Sequence, residues 1–166
     1  MPSTYQSRLI EADSQTMWNI ISDLTGYAEW LDLPSGKVTK VKITRDAGVL
    51  TRTARRVEVD SGRWFDEEIF EAAAPSYVAY RVLCDSTGKF ARAFKNMSVS
   101  IRLVPAAAGG VNVTMGVDYA KAGFIGRLTD WFGPRNWRRA FQRSLENLEK
   151  VARSSPVSEL YTPPWR

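Results

Sequence analysis

The 166-residue sequence contains no histidine. That absence removes Ser-His-Asp and Cys-His catalysis, the HExxH zinc motif and most zinc or non-haem iron sites. Cys84 is the only cysteine, so an intrachain disulfide and a thiolate metal cage are excluded and a reducing compartment fits. No apolar run reaches the ~18 residues of a membrane-spanning helix. The stretch from Met1 to Gln6 has neither a basic n-region nor an apolar h-region, which argues against a secretory signal and gives a cytoplasmic expectation. No glycine-rich phosphate cradle is present, and Gly109 and Gly110 stand in a turn between strands, the wrong context for a nucleotide. No cofactor and no metal are expected. There is no zinc-finger spacing, no RNP-like aromatic motif and no terminal Lys/Arg block. The net charge of +5 therefore allows weak attraction to anionic partners, including a weak peripheral membrane contact, without a specific nucleic-acid reading.

What is present alternates. Residues 4–12 read as a first strand, with Tyr5, Ser7 and Leu9 on one face and Gln6, Arg8 and Ile10 on the other. Asp13 or Ser14 then caps a helix whose buried face is Met17, Ile20, Ile21 and Leu24. Gly26 ends it, and residues 27–31 form a short second helix carrying Trp30, broken by Pro34-Ser35-Gly36. A meander follows over residues 37–45, 49–59, 63–72, 77–84, 92–104 and 111–119. Met97, Val99, Ile101 and Leu103, then Val111, Val113, Met115, Val117 and Tyr119, alternate strictly. Strands joined by such short turns pair antiparallel. The period then changes: Leu128, Trp131, Phe132, Phe141, Leu145, Leu148 and Ala152 lie on a helical stripe, interrupted at Gly133-Pro134 and ending near 152–155. Residues 1–154 are read as one domain and 155–166 as a Pro-containing tail.

The order β–α–α–β6–long α is that of the helix-grip fold, an α+β architecture of about six to seven antiparallel strands curled around a long C-terminal helix, with two short helices after the first strand. The sequence resembles the polyketide cyclase/dehydrase-like family of the START-like (SRPBCC, Bet v 1-like) superfamily. The resemblance rests on Trp18-Asn-Ile-Ile-Ser-Asp-Leu-Thr-Gly-Tyr-Ala-Glu-Trp30, Gly62-Arg-Trp-Phe-Asp-Glu-Glu-Ile-Phe-Glu71, Ser76-Tyr-Val-Ala-Tyr-Arg81, Val104-Pro105 with Gly109-Gly110, and Gly123-Phe-Ile-Gly-Arg127. It covers roughly residues 4–152. It implies a cavity between sheet and helix that a ligand can fill, while leaving activity open, because the superfamily holds cyclases, lipid carriers and receptors.

Candidate chemistry falls on acids, phenols and arginines. Glu67 shares a strand face with Phe65 and Ile69, and in an apolar cavity its pKa rises; otherwise it is one exposed acid in Asp66-Glu67-Glu68. Tyr80, on the face of Val78 and Val82, offers a phenol to a ligand carbonyl or packs with its hydroxyl at the surface. These two are the tentative catalytic pair. Arg81 points outward by alternation, and Trp64 is placed outward or at an edge. Met97, Val99, Met115, Val117 and Tyr119 are core or ligand wall, the methionines being the adaptable part. Phe124, in the 122–126 segment, is a gate or a buried anchor. Trp131, Arg135 and Arg138 stand where this fold opens its cavity, the arginines pairing with Glu67, holding an anionic ligand group, or snorkelling.

Three functions follow: binding of a small hydrophobic ligand such as a lipid, isoprenoid or polycyclic polyketide-like molecule; a metal-free polyketide cyclase or dehydratase using Glu67 and Tyr80; or a protein-interaction module of co-chaperone type. Ligand binding is favoured. A monomer and a homodimer both fit.

Overall fold

A computed structural model describes residues 3–88, 94–121 and 133–154. The tail, the 122–126 segment and the candidates Phe124 and Trp131 lie outside these residues. Among the described residues, eleven elements run in the order β1 (Ser3–Ile10), α1 (Ser14–Ser22), α2 (Tyr27–Trp30), β2 (Asp32–Leu33), β3 (Gly36–Arg45), β4 (Ala54–Val59), β5 (Trp64–Ala73), β6 (Tyr77–Asp85), β7 (Phe94–Pro105), β8 (Val111–Lys121) and α3 (Gly133–Ser154).

α1 and α3 start where the sequence supplies a start. Asp13 is the cap of α1: its Oδ1 accepts from the backbone N–H groups of Gln15 and Thr16 at 2.9 Å, and its Oδ2 accepts from the Thr16 hydroxyl at 2.6 Å. These bonds satisfy donors that the first turn leaves free. α3 begins at Gly133 with Pro134 in its first turn, a position that needs no backbone N–H. Its buried stripe is Trp137, Ala140, Phe141, Ser144, Leu145, Leu148 and Ala152.

The sheet has eight strands, ordered β1-β8-β7-β6-β5-β4-β3-β2, all paired antiparallel. β1 and β2 are neighbours in the sequence but occupy opposite edges, and the chain crosses between them through α1 and α2. In a flat sheet of this width, seven gaps of ~4.8 Å would part the edges by ~34 Å. Yet α3 bonds to both. Its Ser144 oxygen accepts from the Asp32 N–H of β2 at 2.9 Å, and its Glu149 carboxylate meets Arg8 of β1 at 2.6 Å. Five helical residues rise only ~7.5 Å, so the sheet must curl around α3.

Two strand expectations change. The strand count is eight because β2, two buried residues paired with β3, is too short to show a period. The strand expected over 49–59 begins only at Ala54. Arg52 ahead of it adopts φ 69°, a left-handed conformation that breaks an extended run. The backbone there still bonds β5, with Arg52 N–H to Ile69 O at 2.7 Å and Ile69 N–H to Thr53 O at 3.0 Å.

The inner face of the sheet, α1, α2 and α3 enclose one apolar cluster that includes Met17, Ile21, Val57, Phe65, Ile69, Met97, Met115 and Phe141. The outer face of β4–β6 is an ionic lattice. Arg56 grips Asp66 through two bonds of 2.7 and 2.8 Å while lying 3.9 Å over the Trp64 ring. Glu68 is held by Arg81 at 2.6 Å and by Arg45. Arg81 thus points outward, and Trp64 is a half-buried member of this lattice.

Candidate functional site

Within the apolar inner face lies one ionic pair. The register of β4 and β5 sets Arg55 directly opposite Glu67. Both side chains point inward because they share the parity of their buried neighbours Val57, Val59, Phe65 and Ile69. Arg55 is 1% exposed and Glu67 2%. The Arg55 Nε–H donates to Glu67 Oε2 at 3.0 Å, and Nη2 lies 3.0 Å from the same oxygen without completing a second hydrogen bond.

Aromatic rings surround the cation. The Arg55 guanidinium carbon sits 3.8 Å from the Tyr27 ring centre and 4.7 Å from that of Tyr80, an arrangement that favours a charge removed from water. Tyr27 and Tyr80 meet edge to face at 6.5 Å, and Trp30 packs on Tyr27 at 4.4 Å. Tyr27 is fixed by donating its hydroxyl to the Ile21 carbonyl at 2.8 Å. α2 therefore lays two aromatic side chains over the β4–β5 pair.

Several donors of this group find no acceptor. Arg55 Nη1 and Nη2, the Tyr80 hydroxyl and the Trp30 indole N–H are buried without a hydrogen-bond partner. Burial pushes the Glu67 carboxyl above its ordinary range, with the Arg55 charge pulling it back. Burial also opposes the Arg55 charge, but Glu67 and the two phenols outweigh it and raise the arginine further. Burial, then the negative charge of Glu67, raises Tyr80 well above its usual value. Burial pushes Tyr27 up to about 12 against the pull of Arg55. Both phenols are therefore neutral donors at physiological pH. Arg55 and Tyr80 can hold or polarise an oxygen, and Glu67 can exchange a proton only against the pull of Arg55.

Glu67 and Tyr80, the tentative catalytic pair, are thus gathered in one cluster, and Tyr80 is fully buried rather than open to the surface. Met97, Val99, Met115, Val117 and Tyr119 are buried on the same inner face, and a β-carbon added at Gly133 would sit 3.7 Å from the Tyr119 hydroxyl, at the start of α3. Arg135 and Arg138 are exposed on α3. Glu67 takes its cation from Arg55 instead, because the neighbouring strand offers an arginine in direct register, whereas these helix positions lie off the buried stripe. Arg55, Tyr27 and Trp30 were not among the sequence candidates. The parity of Arg55 with Val57 and Val59 was the available signal. Among the described residues, no group of acids and cysteine could hold a metal ion.

The family model described as polyketide cyclase/dehydrase and lipid transport matches residues 1–153. No curated protein matches by sequence. Among solved structures, the protein XoxI from Bacillus cereus superposes with TM-score 0.70 at 15% identity, covering 93% of this chain and 97% of its own. Truncated norcoclaurine synthase from Thalictrum flavum gives 0.68 at 12% identity, covering 93% and 95%. A START superfamily protein from Mycobacterium smegmatis gives 0.67 at 15% identity, covering 91% and 97%. With the family match running through almost its whole length, the chain belongs to the polyketide cyclase/dehydrase and lipid transport family.

Proposed function

We propose that this protein binds a small hydrophobic ligand, a lipid, isoprenoid or polycyclic polyketide-like molecule, between the inner face of its sheet and α3. The observation that carries this reading is the set of unpartnered donors on Arg55, Tyr80 and Trp30. Each buried polar group without a partner costs about 1–3 kcal/mol, and a core that served packing alone would have satisfied or omitted them. Met97, Val99, Met115 and Val117 belong to the same buried apolar cluster as Trp30 and Tyr80, and such side chains suit an apolar molecule. The family description, which names lipid transport, agrees.

The test is native mass spectrometry of protein purified from its own host, followed by identification of whatever denaturation releases. A stoichiometric apolar passenger supports the reading. A bare chain that also takes up no added lipid or aromatic compound overturns it.

A second reading, a metal-free cyclase or dehydratase, is favoured by one feature: Glu67 and Tyr80 share a cluster with a cation. Arg55 and Tyr80 would stabilise negative charge developing on a carbonyl oxygen, and Glu67 would move the proton. Glu67→Gln and Tyr80→Phe separate the readings. Under the binding reading they alter affinity alone; under the catalytic reading they abolish turnover of a substrate that still binds.

A further inference from the structure

The buried donors also describe what the ligand must carry. An arginine and an indole have hydrogens to give and no lone pair to offer, and Tyr80 is held neutral with its hydrogen free. Arg55 and Tyr80 stand side by side, with the guanidinium carbon 4.7 Å from the Tyr80 ring centre, and Trp30 is one ring further along, packed on Tyr27. The site is rich in donors, so its complement is an acceptor.

Charge narrows the choice. Glu67 already balances Arg55 at 3.0 Å. A carboxylate placed against Arg55 would leave two negative groups facing one cation in a region shut off from water, and an uncompensated buried charge is costly. A hydrocarbon would leave the donors as they are. A carbonyl oxygen has two lone pairs, no hydrogen and no net charge, and it answers both conditions.

We propose that the ligand of this core presents an uncharged carbonyl oxygen (of a ketone, quinone, ester or amide) to the free N–H groups of Arg55 and the hydroxyl of Tyr80. The inference rests on the ligand-binding reading above and specifies its chemistry. Glu67 then has a positioning role: it neutralises Arg55 and holds its Nε edge, leaving the Nη edge for the ligand. This discriminates against the matched hydrocarbon, because sites built around hydrogen-bonding groups reject analogues that leave them unpaired.

The experiment is a binding series on the full chain with two scaffolds: fluorene, 9-fluorenone and fluorene-9-carboxylate, then tetradecane, 2-tetradecanone and tetradecanoate. Calorimetry or quenching of tryptophan fluorescence reads affinity. In at least one scaffold the ketone should bind about ten-fold or more tightly than both the hydrocarbon and the carboxylate. Tyr80→Phe should shrink that preference. The double variant Arg55→Met/Glu67→Leu, which removes the pair without stranding either charge, should abolish it. Equal binding of ketone and hydrocarbon would sink the carbonyl inference and leave the ligand-binding reading standing. Tightest binding of the carboxylates would replace it with an anionic ligand. Failure of every member of both series to bind would overturn both.

Discussion

A carboxylate and a guanidinium on the inner face of a sheet are an expensive choice of residues. Each loses its hydration, and the attraction between them recovers that cost only with good geometry and full hydrogen bonding. Here the bonding is incomplete, since the Nη groups of Arg55 have no acceptor. The pair is therefore poorly explained as a stabilising device and better explained as a binding one. Two variants separate these explanations in urea or thermal unfolding. Glu67→Gln strands the Arg55 charge and should cost about 3–5 kcal/mol. Arg55→Met/Glu67→Leu should be neutral or stabilising by up to about 4 kcal/mol. A large loss in the double variant would make the pair structural.

The same carboxyl sets a sign for pH dependence. Burial raises the Glu67 pKa in the folded state above its ordinary value of 4.5, so the folded chain holds this proton where the unfolded chain has released it. Its favourable contribution is fully present below the unfolded value and is lost as pH rises through the folded one. Arg55→Met removes the positive charge that lowers this pKa. That variant should accordingly lose stability more steeply than the wild type as pH rises from the acid side toward neutrality; a pH-independent difference in unfolding midpoint would contradict this. Alternation with Phe65, Ile69 and Val78 made an inward Glu67 and Tyr80 one of two readings the sequence allowed, the other being an exposed acid and a phenol reaching the surface. An inward Arg55 was not legible, because an arginine among Arg52 and Arg56 looks solvated. Only the cross-strand register with Glu67 and the cover from Tyr27 and Trp30 explain why it is inside.

At the level of elements, local signals worked where they were chemical. The Asp13 cap, the strands β7 and β8, and the start of a helix at Gly133-Pro134 follow from side-chain and backbone preferences that neighbours do not override; the ends of the first two helices do not, since α1 closes at Ser22, short of Gly26, and β2 intervenes between α2 and Pro34. β2 could not be read this way. It exists because α3 holds it: Ser144 accepts from the Asp32 N–H at 2.9 Å, its hydroxyl lies 3.2 Å from the Asp32 carbonyl and 2.9 Å from that of Ala140, and Arg143 meets the Asp32 carboxylate at 2.8 Å. The serine is fully buried in an otherwise apolar helical stripe. Ser144→Ala should cost about 1–3 kcal/mol, since it leaves the buried Asp32 N–H without its acceptor. Hydrogen exchange at the Asp32 amide should quicken with it. Unchanged stability and exchange would show that β2 is held by its pairing with β3 alone.

For the whole molecule, the decisive feature is that the two sheet edges close on one helix. Ser144 and Glu149 of α3 reach β2 and β1 respectively, and the curl they enforce turns the inner faces of β4 to β8 toward a shared centre. The order of elements made this architecture readable from sequence. The position of the polar cluster within it depends on register between strands and on α2 folding over them, neither of which a linear pattern records. The outward lattice of Arg56–Asp66 and Glu68 with Arg45 and Arg81 shows the other side of the same alternation: odd positions 55 and 67 face in, even positions 56, 66 and 68 face out.

The central claim is that Arg55 waits for an oxygen. The most direct measurement is nitrogen-15 NMR of the arginine side chains, with the Arg55 signals assigned by their loss in the Arg55→Met/Glu67→Leu variant, recorded as 9-fluorenone and 2-tetradecanone are titrated in. The account predicts that a ketone which binds shifts the Arg55 Nη resonances and slows exchange of their protons with water, while the exposed Arg135 and Arg138 signals stay in place. Saturating ketone binding that leaves the Arg55 Nη signals unmoved would contradict it.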